Sequence, residues 1–245
     1  MLSLLKMDAV MTDYIFAPPE PASVAIDGES KRFPVRRIFC VGRNYAAHAR
    51  EMGMDPDREP PFFFTKPADT VVDTGAAIPY PPETSDFHHE IELVIAIGKS
   101  GVDVSPERAL DLIYGYAVGI DLTRRDLQMI ARKAGRPWDW GKAFDLSAPC
   151  APLRKVADCG HQTKGRIWLE VNGVIKQDAD LAELIWPVAD IVSFVSHSMT
   201  LQPGDLIYTG TPAGVGPLVP GDKVKGGIDG LGEIAITITP PAKTA

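Results

Sequence analysis

The sequence predicts an α+β fold, and three features predict it. Apolar runs of strand length recur at 37–42, 62–66, 93–97 (within a strand-like run 86–98) and 116–120, each closed by glycine, proline or a charged residue. Asn172-Gly173 stands between two such runs, 167–171 and 174–177, which is a strong hairpin signal. Segments 124–134 and 187–199 have helical character, the second with apolar side chains at Val188, Ile191, Val192 and Val195, the spacing of one helix face.

Taken in order, residues 1–35 read as an N-terminal arm and 36–245 as the main domain. Pro18, Pro19, Pro21 and Pro34, with a turn at Asp27-Gly28, suit extended pieces and a hairpin rather than core helix. The strand 37–42 stops at Gly42, and the alanine-rich stretch 45–52 reads as a helix ended by Gly53. Pro60-Pro61 introduces Phe62-Phe63-Phe64-Thr65-Lys66, a buried strand closed by Pro67. Ser105-Pro106-Glu107 offers a cap residue, a proline at the first helical position and an early acid, so a helix runs to about Tyr114. Strand 116–120 follows and delivers Asp121 at its end; helix 124–134 is closed by Gly135. Gln202-Pro203-Gly204-Asp205 and Val219-Pro220-Gly221-Asp222 are turns, and Asp229-Gly230-Leu231-Gly232 closes the last hairpin.

A chain of 245 residues with 45% hydrophobic and 23% charged content can bury a substantial core. The net charge of −7 argues against nucleic acid or an anionic membrane as partner, since both require surplus Lys and Arg. Cys40, Cys150 and Cys159 are an odd number without paired spacing, which suits a reducing compartment. The sequence has no apolar run of the length that spans a bilayer, and its opening apolar patch is too short for a signal peptide. A cytoplasmic location is expected.

The chemistry centres on His89-Glu90-Ile91-Glu92. In a strand, Glu90 and Glu92 share a face with Val94 and Ala96, opposite Ile91, Leu93, Ile95 and Ile97. Two acids so placed resist desolvation unless a cation lies between them, and oxygen ligands favour a hard one. A solvated acidic edge is the alternative. His48 and Glu51 stand three apart on a helix: a general base with an orienting carboxylate, or a surface pair. Asp121, Arg125 and Gln128 align at spacings of four and three. By itself Asp121 reads more readily as a helix cap, and Lys66 as a solvated strand-end lysine. The loop Thr209-Gly210-Thr211-Pro212-Ala213-Gly214 lacks a P-loop ending. It can present backbone N–H groups to a carboxylate, or serve as a tight surface turn.

Taken together and in order, Gly42-Arg43-Asn44-Tyr45 with His48 and Glu51, Lys66-Pro67, His89-Glu90-x-Glu92, Asp121-x-Thr123-x-Arg125-Asp126, Lys142 and Thr209-Gly210-Thr211-Pro212 resemble the fumarylacetoacetate hydrolase family over about residues 36–238. Within it, the similarity is to the short acylpyruvate hydrolases, and the arm, with residues 47–53 leading into Pro60-Pro61-Phe62, is similar to the bacterial fumarylpyruvate hydrolases of gentisate-type aromatic catabolism. The resemblance implies a mixed β-roll with flanking helices, a homodimer, and magnesium (manganese as substitute) held by Glu90, Glu92 and Asp121. By position it implies His48, Glu51 and Lys142 as catalytic residues, and Arg125, Gln128, Thr211 and Lys66 as substrate-binding. The implied reaction is hydrolysis of the C–C bond of an acylpyruvate, a small anionic diketo acid. Oxaloacetate decarboxylation and dienol-acid isomerisation or hydration use the same kind of metal-held enolate, and a non-catalytic metal-stabilised protein is a further alternative. The His48–Glu51 pair favours hydrolysis, which needs an activated water.

Overall fold

The strand Ile91–Ile97 is buried along its whole length, and its neighbours explain why. In the computed structural model, which describes residues 13–51 and 60–242, it lies inside an eight-stranded sheet between Asp205–Tyr208 and Ile113–Ile120. Arg37–Gly42 and Phe62–Lys66 continue the sheet on one side, Ala148–Cys150 and Val71–Asp73 on the other. Pairing is mixed: Asp205–Tyr208 runs parallel to Arg37–Gly42 and antiparallel to Ile91–Ile97. A five-stranded sheet, ordered Val174–Asp180, Arg166–Val171, Lys223–Ile228, Gly232–Thr239 and Ala77–Pro79, packs against one face.

Alternation along the central strand separates two apolar layers. Ile91, Leu93, Ile95 and Ile97 pack with Ile167, Leu169, Ile234 and Ile236 of the five-stranded sheet. Val94 and Ala96 point the other way, into a cluster with Cys40, Ala117 and Tyr208. Val24 and Phe33, from the hairpin Ser23–Ala25/Arg32–Pro34, cover that second layer. The helices Arg125–Lys133 and Val188–Ser198 flank the sheets. The fold is the expected mixed β-roll with flanking helices. Among the described residues no helix is long and apolar enough to cross a membrane.

Most expected elements are present, with three differences. The helix expected at 105–114 is Pro106–Ala109 followed by one 3-10 turn, Leu110–Leu112. Its last residues belong to the strand Ile113–Ile120, because Ile97 and Ala96 pair with Ile113 and Gly115. Ser105 precedes the helix, but its side chain makes no capping bond. The strand Phe62–Lys66 is half-buried rather than buried, since among the described residues it forms one edge of the sheet with Arg37–Gly42 as its sole partner. The helix at 45–52 is seen as Ala46–Glu51; Met52 and Gly53 lie outside the described residues. Asn172 and Gly173 adopt φ of 53° and 79°, the left-handed pair that a two-residue hairpin turn requires.

Gly119 is paired with Glu92 across the ladder. A Cβ there would meet Val94 Cγ2 at 2.5 Å and Tyr208 Cε1 at 2.6 Å, both in the closed core. Gly119→Ala is expected to lower unfolding stability by about 1–3 kcal/mol, the usual cost of overpacking, as measured by denaturant titration.

Candidate active site

The fold carries three acids to one place by strand pairing. Ile91 is paired with Ile120 in the antiparallel ladder, so the residue before one strand meets the residue after the other. Accordingly the Asp121 N–H donates to the Glu90 carbonyl at 2.8 Å. Glu90 is not within the strand, as a continuous strand through 86–98 would have it. It occupies the break between Phe87–His89 and Ile91–Ile97. There the chain leaves the large sheet, and Phe87–His89 pairs instead with Thr123–Arg124 and Gly216–Pro217. Glu90 and Glu92 nevertheless come together, 5% and 1% exposed. A solvated edge is ruled out, because the strand is central and the acids are inside.

One oxygen from each of Glu90, Glu92 and Asp121 lies within 4.8 Å of the others. Their compensation is uneven. Glu90 is bonded by the Arg125 guanidinium and lies 2.9 Å from Lys142 Nζ. Asp121 Oδ2 accepts from Lys142 Nζ at 2.6 Å, and its Oδ1 is 2.9 Å from Lys66 Nζ. That last contact is an ion pair but not an aligned hydrogen bond, so this buried oxygen accepts none. Glu92 accepts the Gly210 amide at 2.7 Å and pairs with no Lys or Arg among the described residues.

The ionisation of the group follows from this placement. Burial pushes the Glu92 carboxyl up, Asp121 and Glu90 push it further, and Lys142 and the Gly210 amide offset this in part; it stands well above the usual carboxylate range. Burial would raise Glu90 too, but Lys142 and Arg125 outweigh it and hold Glu90 well below that range. Burial pulls Lys142 down, and Asp121 and Glu90 more than reverse it. Compensation is therefore weakest at Glu92, which has no ionic partner among the described residues, whereas Asp121 Oδ1 has an ion pair but accepts no hydrogen bond. A cation bonded to both would relieve both shortfalls, and an all-carboxylate donor set suits magnesium or manganese. The residues present fit such an ion.

The two lysines differ from their simplest reading. Lys66 is 2% exposed, not solvated, and donates to the Leu122 carbonyl at 3.2 Å and to the Lys142 carbonyl. Lys142 directs its ammonium at Glu90, Asp121 and, at 2.7 Å, the Thr123 hydroxyl.

His48 and Glu51 do form a pair, with Nδ1 3.1 Å from Oε2. A proton on Nδ1 donated to Glu51 leaves Nε2 as the basic nitrogen. The Gly214 amide approaches the same carboxylate at 3.4 Å. Buried His48 faces a cavity that Glu90, Glu92, Arg125, Gln128, Lys142 and Thr211 also line. Asp121 and Lys66 stand behind this wall, joined to it through Lys142 and through each other. Arg125 Nη1 donates to Gln128 Oε1 at 2.6 Å.

Sequence reasoning missed Gln177, while the loop's expected N–H donation to a carboxylate is realised by the Gly210 amide on Glu92. Gln177 is fully buried; its Oε1 accepts the Ile91 amide at 3.1 Å, and its Nε2 donates to Thr211 Oγ1 at 2.8 Å. It thereby ties the loop to the acidic strand. No signal pointed to it, because Lys176-Gln177-Asp178 reads as a solvated strand. Gly210 has φ of 95°, and a Cβ there would lie 2.7 Å from Asn44 Cβ, so only glycine brings this amide to Glu92. The cavity-lining Arg132 and Trp138 were also not singled out for a role.

Comparison with known proteins agrees with this geometry. Residues 37–239 match the family model described as fumarylacetoacetate (FAA) hydrolase C-terminal. A fumarylpyruvate hydrolase from Ralstonia sp is 50% identical over 190 residues, covering 76% of this chain and 97% of that one. The crystal structure of fumarylpyruvate hydrolase from Pseudomonas aeruginosa, in complex with Mn2+ and pyruvate, superposes with a TM-score of 0.92 at 53% identity, covering 93% of this chain and all of that one. The mitochondrial oxaloacetate decarboxylase of Dictyostelium discoideum is 43% identical over 200 residues, covering 80% of this chain and 90% of that one.

A bound divalent cation stabilises the fold by mass action, by about 2.7 kcal/mol at a hundredfold excess over Kd. Titrating Mn2+ is expected to raise the melting temperature of the native chain and to leave that of Glu92→Gln flat. An equal rise in both would remove Glu92 from the ligand set.

Proposed function

The chain belongs to the fumarylacetoacetate hydrolase family, and on that premise we propose that it hydrolyses the C–C bond of an acylpyruvate, converting fumarylpyruvate to fumarate and pyruvate. The observation that carries this reading is the joint facing of one cavity by two of the three clustered carboxylates and by His48, whose Nδ1 is paired with Glu51. A purely structural metal site would have no use for an oriented base beside it.

In this reading Glu90, Glu92 and Asp121 hold magnesium, with manganese as substitute. When bound, the ion supplies Lewis-acid stabilisation of the negative charge that develops on the pyruvate portion. His48, oriented by Glu51, accepts on Nε2 a proton from the water that attacks the acyl carbonyl. The tetrahedral intermediate breaks its C–C bond and expels pyruvate as an enolate, a poor leaving group unless its charge is met. Lys142 can turn to that charge the N–H it gives the Thr123 hydroxyl, keeping its two carboxylate partners. His48 then holds the proton the enolate carbon needs. Arg125, Gln128 and Thr211 position the pyruvate carboxylate; Lys66 does not line the cavity but stands behind it, paired with Asp121. Residues 36–245 form the catalytic unit and 1–35 an arm, in a cytoplasmic homodimer like those the family resemblance implies.

The Dictyostelium relative supports a second reading, decarboxylation of oxaloacetate at the same carboxylates; dienol-acid isomerisation would draw on them too. The His48–Glu51 pair favours hydrolysis over decarboxylation, which has no water to activate.

His48→Ala is expected to lower acylpyruvate cleavage by about 10²–10⁴-fold, the range for loss of a general base, with Mn2+ affinity unchanged. Steady-state rates by ultraviolet absorbance, beside calorimetric Mn2+ titration, check this. In the native chain a chelator should abolish cleavage and added magnesium restore it; cleavage indifferent to both would contradict the reading.

A further inference from the structure

Helix Arg125–Lys133 presents Arg125, Gln128 and Arg132 to the cavity, at spacings of three and four that keep them on one face. The two arginines are engaged differently. Arg125 is bonded to Glu90 and Gln128, so it is held beside the carboxylate cluster. Arg132 is half-buried and makes no hydrogen bond or ion pair with any described residue. Its Cα lies about 10 Å further along the helix axis, by the rise per residue. Arg43 also lines the cavity, but its guanidinium is stacked over the Phe62 ring at 4.8 Å.

The wall beside Arg132 is aromatic. The Phe64 and Trp138 rings, both on the cavity, lie 5.7 Å apart, and Phe62 meets Trp138 edge-on at 5.0 Å. Such a wall suits a flat, conjugated chain. A guanidinium beyond it, half out of water and without an acceptor among the described residues, is complementary to a carboxylate.

We propose that Arg132 determines acyl specificity, binding a carboxylate at the far end of the acyl group while the chain lies along Phe64 and Trp138. The inference rests on the acylpyruvate reading and deepens it. The selected substrates are acylpyruvates with an anionic, planar acyl end. An uncharged acyl group, such as acetyl, leaves the guanidinium unmatched and gains nothing from it.

The test compares Arg132→Gln and Arg132→Lys with the native chain, in Mn2+, on fumarylpyruvate and acetylpyruvate. Arg132→Gln should lower the ratio of kcat/KM for fumarylpyruvate over acetylpyruvate by about tenfold to a hundredfold, the effect of losing one charge-assisted hydrogen-bonded contact. Arg132→Lys should recover part of it. Equal losses on both substrates, or no loss, would overturn the proposal. Calorimetric binding of fumarate to the Mn2+-loaded protein gives a readout independent of turnover. Binding that weakens at least tenfold in Arg132→Gln supports the assignment, and unchanged or undetectable binding in the native chain overturns it. Should the native chain cleave neither acylpyruvate, the hydrolase reading fails, and the fumarate titration still decides the role of Arg132.

Discussion

Three carboxylates and three cationic side chains share the interior beside the large sheet, and the surrounding structure depends on how they are matched. An unpaired buried ion costs several kcal/mol, so Glu90, Glu92 and Asp121 could not stand where they do without Lys142, Lys66 and Arg125. The formal charges cancel, but their placement does not. Lys142 and Arg125 serve Glu90, and Lys142 and Lys66 serve Asp121, while Glu92 has a backbone amide. The residual negative potential is local, directed at the cavity, and sits in a chain of net charge −7 whose other cavity groups are largely cationic. That combination can hold a hard cation and an anionic substrate at once.

The sheet supplies the precision this requires. Antiparallel pairing of Ile91 with Ile120 fixes Glu90, Glu92 and Asp121 relative to one another through backbone bonds. The change of partner at Phe87–His89 bends the chain so that Glu90 joins them. Gln177 reaches from the five-stranded sheet and locks the loop carrying Thr211 to the same strand. Functional groups held on ladders keep their geometry better than groups held on loops alone.

Local signals in the sequence were enough for the strands, the hairpin turn at Asn172-Gly173 and the two longer helices, because each rests on neighbours along the chain. The burial of Phe62–Lys66 was misjudged, since apolar content does not reveal whether a strand has one partner or two. Glu90 and Glu92 could be recognised as a face, but not as an interior one; that depended on the order of strands. Asp121 could be connected to them only through family resemblance, as could Lys142, because ladder pairing and tertiary packing leave no trace in spacing. Gln177 and the ion pair of Lys66 with Asp121 were invisible for the same reason: each is polar, each follows a strand pattern, and each owes its burial to distant segments.

The central claim is that these carboxylates form a divalent-cation site served by His48. Crystals grown with Mn2+ and examined by anomalous diffraction test it most directly. The account requires one strong peak within bonding distance, about 2.0–2.3 Å, of oxygens from Glu90, Glu92 and Asp121, in the cavity that His48 faces. An empty cluster at saturating Mn2+, or a peak elsewhere with the Lys142 contacts to Glu90 and Asp121 intact, would contradict it.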